Sequence, residues 1–190
     1  MKTPARTTRF NQSASGLLKI ILVTLLLHAP ASWAQLIPAG NINGSLELGP
    51  FIEYYEDQTE SLSFEDITSP GFGVNFIPYD RDILHFGITQ AAYWLRLNFD
   101  WSDLDEEVDR ILEFGPPKIV GGRVRGGITI YALDASGSFL EQYTLGTFEN
   151  QIEMRTLSRG FALRIDPVFG EQIYVRVSSA RPLRLPVTLW

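Results

Sequence analysis

Aromatic and arginine side chains are the residues of this sequence best suited to hold a ligand. The candidate set combines ring faces with charged donors and comprises Tyr54, Trp94, Arg96, Tyr131 and Arg176. Sugar rings stack their apolar C–H faces on aromatic rings, while a few placed polar groups fix the hydroxyls. Arginine adds a planar, bidentate donor that suits a sugar or a carboxylate. These residue types therefore indicate a small-molecule site, and a saccharide is the first ligand to expect.

Strand alternation decides which of these side chains can share a surface. In a predicted strand over 92–99, Trp94 and Arg96 point to one face, and Leu95 and Leu97 point to the other. The leucine side is expected to be the core side. Trp94 and Arg96 would then lie on an exposed or cupped face that a ligand could reach. The alternative is that both side chains simply pack against a neighbouring element.

Catalytic chemistry has few residues to work with. The chain has no cysteine and two histidines, of which only His85 lies beyond the first 34 residues. A cysteine–histidine pair is impossible, and a serine triad would depend on His85. A surface or core-edge position is the simpler explanation of His85, and a zinc site would need several His or Cys ligands. We therefore expect a protein that is not an enzyme and that uses no cofactor and no metal.

Acidic residues leave two alternatives open. Six of them cluster between two predicted strands: Asp100, Asp103, Asp105, Glu106, Glu107 and Asp109. Calcium prefers several oxygen ligands, but the spacing does not fit an EF-hand, and a solvated loop explains the cluster more simply. Glycoside hydrolysis needs only two carboxyl groups, so a small hydrolase remains a lower-ranked alternative.

Short alternating apolar segments separated by Gly, Pro, Asp and Ser dominate the sequence and indicate strands. About eight strands are predicted, at 51–55, 92–99, 111–114, 128–133, 139–143, 161–165, 173–177 and 183–189. Pro182 and Pro186 place the last of these at a sheet edge. A capping-box pattern from Ser63 to Asp66 predicts one short helical turn. The predicted fold is all-β, a jelly-roll β-sandwich with one short helix.

The first 34 residues have the pattern of a secretory signal peptide. Basic residues precede a short apolar run, and Ser32-Trp33-Ala34 predicts cleavage before Gln35. An uncleaved N-terminal anchor is the alternative, although the apolar run is shorter than the roughly 20 residues of a membrane span. We therefore expect residues 35–190 to form a single domain in the periplasm.

Charge argues against one class of partner. Four of the 16 basic residues precede position 35, so the exported part would keep 12 basic residues against 22 acidic ones, a net charge of −10. A chain this acidic has no basic patch large enough for nucleic acid. We expect no nucleic-acid partner.

Four motifs, in this order, resemble a known family. They are LGPFIEYYED at 48–57, FGIT at 86–89 followed by AYWLRL at 92–97, IYVRV at 173–177, and LPVTLW at 185–190. Together they are similar to the type 2 extracellular domain of the seven-transmembrane receptors with diverse intracellular signalling modules (7TMR-DISM). The resemblance covers about residues 45–190.

The resemblance implies a jelly-roll sensor domain similar to carbohydrate-binding modules. Such a domain lies in the periplasm, ahead of seven membrane helices that lead to a diguanylate cyclase, a histidine kinase or a related output module. The implied partners are a small ligand, for which carbohydrates are the usual suggestion, and a membrane-embedded signalling module.

Two departures from the family pattern leave alternatives open. Trp190 falls where the family domain ends. The chain is then either a fragment of a membrane-associated receptor, with its signalling module in cis, or a stand-alone periplasmic protein that binds, assembles or signals through a partner in trans. The second departure is the Gly/Arg-rich segment 121–127, where the family runs more directly into a strand.

Overall fold

The structure is a computed structural model that describes residues 35–103, 110–115, 128–134, 136–145, 161–167, 171–178 and 182–190. These residues belong to one compact unit, Ser32–Trp190. The predicted signal peptide, the segment 121–127 and four of the six clustered acidic residues lie outside the described residues. Within the described ranges, no helix has both the length and the apolar character needed to cross a membrane.

The described residues form thirteen strands and one α-helix. The strands are β1 (Ile37–Pro38), β2 (Leu46–Glu47), β3 (Glu53–Asp57), β4 (Ile77–Pro78), β5 (Leu84–Gly87), β6 (Ala92–Asp100), β7 (Arg110–Phe114), β8 (Ile128–Leu133), β9 (Phe139–Leu145), β10 (Phe161–Ile165), β11 (Gln172–Ser178), β12 (Leu183–Leu185) and β13 (Val187–Leu189). The helix α1 spans Phe64–Ile67, and two 3-10 helices span Gly49–Phe51 and Phe72–Asn75.

Two sheets form a sandwich. The large sheet has the order β4–β3–β6–β11–β8–β9, with β1 added parallel to β6. The second sheet has the order β10–β7–β13–β2, and β12 and β5 form a separate pair. The strand pairs of the described residues are antiparallel, β1 with β6 excepted. The chain is therefore a mostly antiparallel β-sandwich with one short helix, which confirms the predicted fold class.

The main core fills the space between the two sheets. Leu95 and Leu97 of β6 are fully buried there, together with Leu112 and Phe114 of β7. Each such side chain stabilises the fold by about 1.5–3 kcal/mol through the apolar surface that it removes from water. The leucine face of β6 is thus the core face, as strand alternation predicted.

A second apolar cluster covers the outer face of the large sheet. Ile67 and Phe76, which lie in the chain between β3 and β4, pack here against Trp94, Leu133 and Tyr174 of the sheet. We call residues 58–76 the cover segment. It gives the large sheet apolar packing on both faces, so the outer face of the sheet is not a simple polar surface.

The helix of the cover segment begins at a capping box. The Ser63 hydroxyl accepts the Asp66 N–H at 3.2 Å, and the Asp66 carboxylate accepts the Ser63 N–H at 2.8 Å. Two N–H groups that the first helical turn leaves without helical partners are thereby satisfied. The short helix predicted from this pattern is confirmed.

The segment predicted as one C-terminal edge strand is two strands in different sheets. Pro186 separates β12 from β13, and β13 lies between β7 and β2 inside the second sheet. The predicted edge position is therefore wrong for β13. The proline fits because it lies between the two strands, where its missing N–H removes no ladder hydrogen bond.

Candidate ligand-binding site

The five predicted ligand residues lie on two faces of the large sheet. Trp94 and Tyr131 belong to the apolar cluster under the cover segment. Arg176 pairs with Trp94 across the sheet, and the Arg96 guanidinium lies over Phe76 of the cover segment, so both share this outer face. Tyr54 packs against the core cluster on the opposite face. The structure thus brings four of the five together and leaves Tyr54 apart.

Trp94 is fully buried, with 0% of its surface exposed. Its ring lies 5.7 Å from the Tyr131 ring and 5.9 Å from the guanidinium carbon of Arg176. The Phe64 ring of α1 stacks on the Tyr131 ring, with 4.5 Å between the ring centres, and covers the cluster. Trp94 therefore packs against a neighbouring element, which was the alternative to an exposed platform.

Arg96 is held by a buried carboxylate. Its Nε and Nη2 lie 2.8 and 2.7 Å from the same oxygen, Oε2 of Glu53. Its guanidinium carbon lies 4.6 Å from the centre of the Phe76 ring, and Nη2 also donates to the Gly73 carbonyl at 3.4 Å. Arg96 therefore joins the sheet to the cover segment.

Arg176 and Tyr131 are both half-buried beside the cover segment. Nη2 of Arg176 donates to the Glu60 carbonyl at 3.1 Å. Burial raises the pKa of Tyr131, while the positive charge of Arg176 acts in the opposite direction. A ligand that reached these two residues together with Trp94 would have to displace the cover segment.

Tyr54 borders an open cleft of about 350 Å³ on the other side of the sheet. The residues that line it are Tyr54, Pro78, Tyr79, Asp80, Arg81, His85 and Phe86. The volume lies within the range of roughly 300–1,000 Å³ that is typical of small-ligand sites. We call it the Tyr54 cleft.

Aromatic rings form the inner wall of the Tyr54 cleft. The Tyr54 ring lies 5.1 Å from Phe86 and 5.8 Å from Tyr79, and Phe86 stacks on Tyr93 at 3.9 Å. Aromatic pairs at such distances contribute about 0.5–1.5 kcal/mol each beyond the area that they bury. The wall is therefore a packed extension of the core, and its ring faces hold fixed positions.

Polar side chains form the outer rim of the Tyr54 cleft. Asp80, Arg81 and His85 are all exposed. The Arg81 Nε lies 3.8 Å from the Asp80 carboxylate, an exposed pairing of the kind that contributes little to stability. An acceptor, a charged donor and an imidazole are thus available at one rim.

Backbone contacts fix the loop that carries this rim. The Tyr79 N–H donates to the Ile52 carbonyl at 2.8 Å. A Cβ on Gly49 would overlap the carbonyl oxygens of Arg81 and Asp82, so only glycine lets the loop approach this closely. The rim is therefore positioned by the 3-10 turn Gly49–Phe51 and by Ile52, which lies just before β3.

Sequence reasoning found Tyr54 but missed the rest of the cleft. β5, which supplies His85 and Phe86, has four residues and pairs with β12 near the other end of the chain. The signal that could have found the cleft is the run Pro78 to Arg81, where an aromatic, an acid and a base follow one another.

The structure describes two members of the acidic cluster, Asp100 and Asp103. The Asp100 carboxylate accepts the Ser102 N–H at 3.0 Å, which lowers the pKa of Asp100. In the described part of the chain, no three His, Asp or Glu side chains are grouped as metal ligands. The calcium alternative depends on the four acidic residues outside that part.

Comparison with known proteins gives similarity to solved structures and one family. The chain is similar to a fucose binding module, SpX-3, of Streptococcus pneumoniae, with 14% sequence identity and a TM-score of 0.36 over 76% of this chain and 97% of that chain. No curated protein matches the sequence significantly. The sequence model of the family described as 7TMR-DISM extracellular 2 matches residues 49–190, which confirms the resemblance seen in the motifs. The chain belongs to the 7TMR-DISM extracellular 2 family.

Proposed function

We propose that this chain is the periplasmic ligand-sensing domain of a bacterial receptor and that it binds a saccharide in the Tyr54 cleft. The observation that carries the proposal is the composition of this cleft, an aromatic wall beside three exposed polar side chains. A saccharide needs both parts, because its C–H faces are apolar and its hydroxyls require placed hydrogen-bond partners.

The polar rim supplies both kinds of hydrogen-bond partner. A sugar hydroxyl donates one hydrogen bond and accepts others. The Asp80 carboxylate can accept from a hydroxyl, and the Arg81 guanidinium can only donate. His85 adds a ring that both donates and accepts when it is neutral. The rim can therefore match a pattern of hydroxyls, which supports selective binding of one sugar.

The carboxylate content of the cleft favours binding over hydrolysis. Glycoside hydrolases need two carboxyl groups on either side of the scissile bond, about 5–9.5 Å apart. Among the described residues that line the cleft, Asp80 is the only one with a carboxylate. We therefore infer a binding domain and not a small hydrolase.

Family membership supports a role in sensing. The family consists of extracellular domains of 7TMR-DISM receptors. In the proposed receptor, membrane helices carry the signal from this domain to a diguanylate cyclase or a histidine kinase. A ligand can shift such a receptor only by its difference in affinity for two conformations.

A thermal-shift screen of the purified protein against neutral monosaccharides and oligosaccharides tests the proposal. A sugar at 100 times its Kd stabilises a folded protein by about 2.7 kcal/mol. For a domain of this size, that corresponds to a rise in Tm of roughly 5–11 °C. We expect at least one sugar to produce such a rise.

Variants of the rim then locate the site. Asp80→Ala and Arg81→Ala remove exposed side chains, so both variants should fold normally and lose the response to the sugar. Arg164→Ala changes an exposed arginine on β10 of the other sheet and serves as the matched control. If no sugar raises Tm, the proposed function is wrong. If the response survives both rim substitutions, the sugar binds elsewhere.

A further inference from the structure

The Tyr79 hydroxyl forms hydrogen bonds with two backbone groups beside the Tyr54 cleft. It donates to the Ile83 carbonyl at 3.0 Å and accepts the His85 N–H at 2.8 Å. The Tyr79 side chain is 8% exposed, and its ring lies in the aromatic wall. One hydroxyl thus closes the rim loop onto the first residues of β5.

β5 has one neighbouring strand among the described residues. It pairs with β12, with Leu84 opposite Leu185 and His85 opposite Arg184. The His85 N–H donates its hydrogen bond to the Tyr79 hydroxyl and not to a second strand. Besides the packing of its side chains in the core, β5 is therefore held by its pairing with β12 and by the hydrogen bond from the His85 amide to Tyr79.

The β12 strand is joined through Pro186 to β13 of the second sheet. After Pro186 the chain enters β13, and the Pro186 carbonyl accepts the Gly115 N–H at 2.8 Å beside the end of β7. The cleft is thus connected to the second sheet by the Tyr79 hydrogen bonds, by the β5–β12 pairing and by the chain that runs from β12 through Pro186 into β13.

We infer that Tyr79 is a positioning residue that couples the Tyr54 cleft to β12, so that a ligand in the cleft stabilises the β5–β12 pair. The inference rests on the proposed binding of a ligand in this cleft. A ligand against Tyr79, His85 and Phe86 contacts both the hydroxyl-bearing ring and the strand that the hydroxyl holds. Occupancy of the cleft then reduces local opening of β12, although the ligand does not touch β12.

Amide hydrogen exchange of the purified full chain tests the coupling without any ligand. Tyr79→Phe keeps the ring and removes the hydroxyl, so the protein should fold while the His85 amide loses its acceptor. Losing such a hydrogen bond corresponds to roughly two- to tenfold faster exchange by local opening. We expect this acceleration at His85 and across Leu183–Leu185. Unchanged exchange at these amides would overturn the inference.

Tyr174→Phe is the matched control. Tyr174 is also a buried tyrosine, and its hydroxyl interacts with Arg96 on the outer face of the large sheet, away from the cleft. This variant should leave the exchange of β5 and β12 as it is in the wild type. Equal acceleration at β12 in both variants would show a general loss of stability and would overturn the role of Tyr79.

The same measurement with sugar separates this inference from the proposed function. The probes are the methyl glycosides of glucose, galactose, mannose and fucose, each at millimolar concentration. The sugar that raises Tm should slow the exchange of β12 at least threefold in the wild type. Binding with no protection of β12 in the wild type would overturn the coupling and leave the function intact. If none of the four binds, the exchange of Tyr79→Phe without ligand still decides whether Tyr79 holds β12.

Discussion

Arg96 and Glu53 form a buried ion pair in which two nitrogen atoms approach one oxygen. Nε and Nη2 lie 2.8 and 2.7 Å from Oε2, and the two side chains are 13% and 3% exposed. Phe76 of the cover segment lies against the guanidinium. The pair therefore stands between the large sheet and the cover segment, and either partner alone would be a charge with little access to water.

Removing one member of this pair should be strongly destabilising. Arg96→Met leaves the Glu53 carboxylate buried without its partner, a change that costs about 3–5 kcal/mol in comparable pairs. Chemical denaturation of the wild type and the variant measures the loss. The double variant Glu53→Gln, Arg96→Met should recover part of it, because no unpaired charge remains.

Arg164→Met is the control for the Arg96 substitution. Arg164 is exposed on β10, so its replacement should change the free energy of unfolding by no more than about 0.5 kcal/mol. A loss at Arg96 as small as the loss at Arg164 would mean that the ion pair contributes nothing beyond an ordinary surface contact.

Alternation predicted the faces of β6 correctly, but it could not predict what lies over them. Trp94 and Arg96 share a face opposite the leucines, and that face is covered. The cover segment supplies Ile67 and Phe76 from a stretch with little secondary structure of its own. Its position over the sheet depends on tertiary contacts, for which the sequence has no periodic signal.

The sequence pattern did not predict the shortest strands. Five of the thirteen strands in the described residues have two or three residues, too few for an alternation to show. β5 is longer, but its residues Leu84 to Gly87 follow the loop Asp80 to Asp82 without a clear boundary. β5 supplies His85 and Phe86 to the Tyr54 cleft. Because β5 was not predicted, the sequence located only Tyr54 at the cleft, and the other four predicted ligand residues lie away from it.

Trp94 should matter for stability and not for the sugar response. Its full burial means that Trp94→Ala opens a large cavity, with an expected loss of about 3–5 kcal/mol. Trp94→Phe keeps most of the packing and should show the same sugar-induced rise in Tm as the wild type. If Trp94→Phe folds and loses the response, the ligand binds under the cover segment and the Tyr54 cleft is the wrong site.

Gly49→Ala should disturb the cleft through its rim loop. The new Cβ would overlap the Arg81 and Asp82 carbonyl oxygens, which belong to the backbone and cannot rotate away. Overpacking of this kind costs about 1–3 kcal/mol, and the loop must move. We expect lower stability together with a weaker sugar response, measured by thermal shift with and without the sugar.

Gly73→Ala is the comparison for Gly49→Ala. A Cβ there would lie 3.1 Å from the Arg96 Nη1, so a shift of a few tenths of an ångström accommodates it, whereas the Cβ on Gly49 would overlap backbone oxygen atoms. The sugar response of Gly73→Ala should match that of the wild type. An equal loss of response in both variants would show that glycine substitutions act on the cleft only through global stability.

The capping box of α1 should make the cover segment sensitive to acid. Hydrogen bonds from the Ser63 backbone and side chain lower the pKa of Asp66 below its ordinary value of 3.8. Because the folded pKa is the lower one, the stabilisation is complete above about pH 3.8 and is lost as the pH falls through the folded value. Asp66→Ala removes the carboxylate that accepts the Ser63 N–H and should lower the free energy of unfolding at pH 7. The difference between wild type and variant, measured by denaturation from neutral pH down to pH values below the ordinary pKa, should shrink as Asp66 is protonated.

Ser45→Ala, an exposed serine outside the cover segment, should show no such trend. A difference that stays constant over the whole pH range would mean that the Asp66 carboxylate does not contribute to the cap.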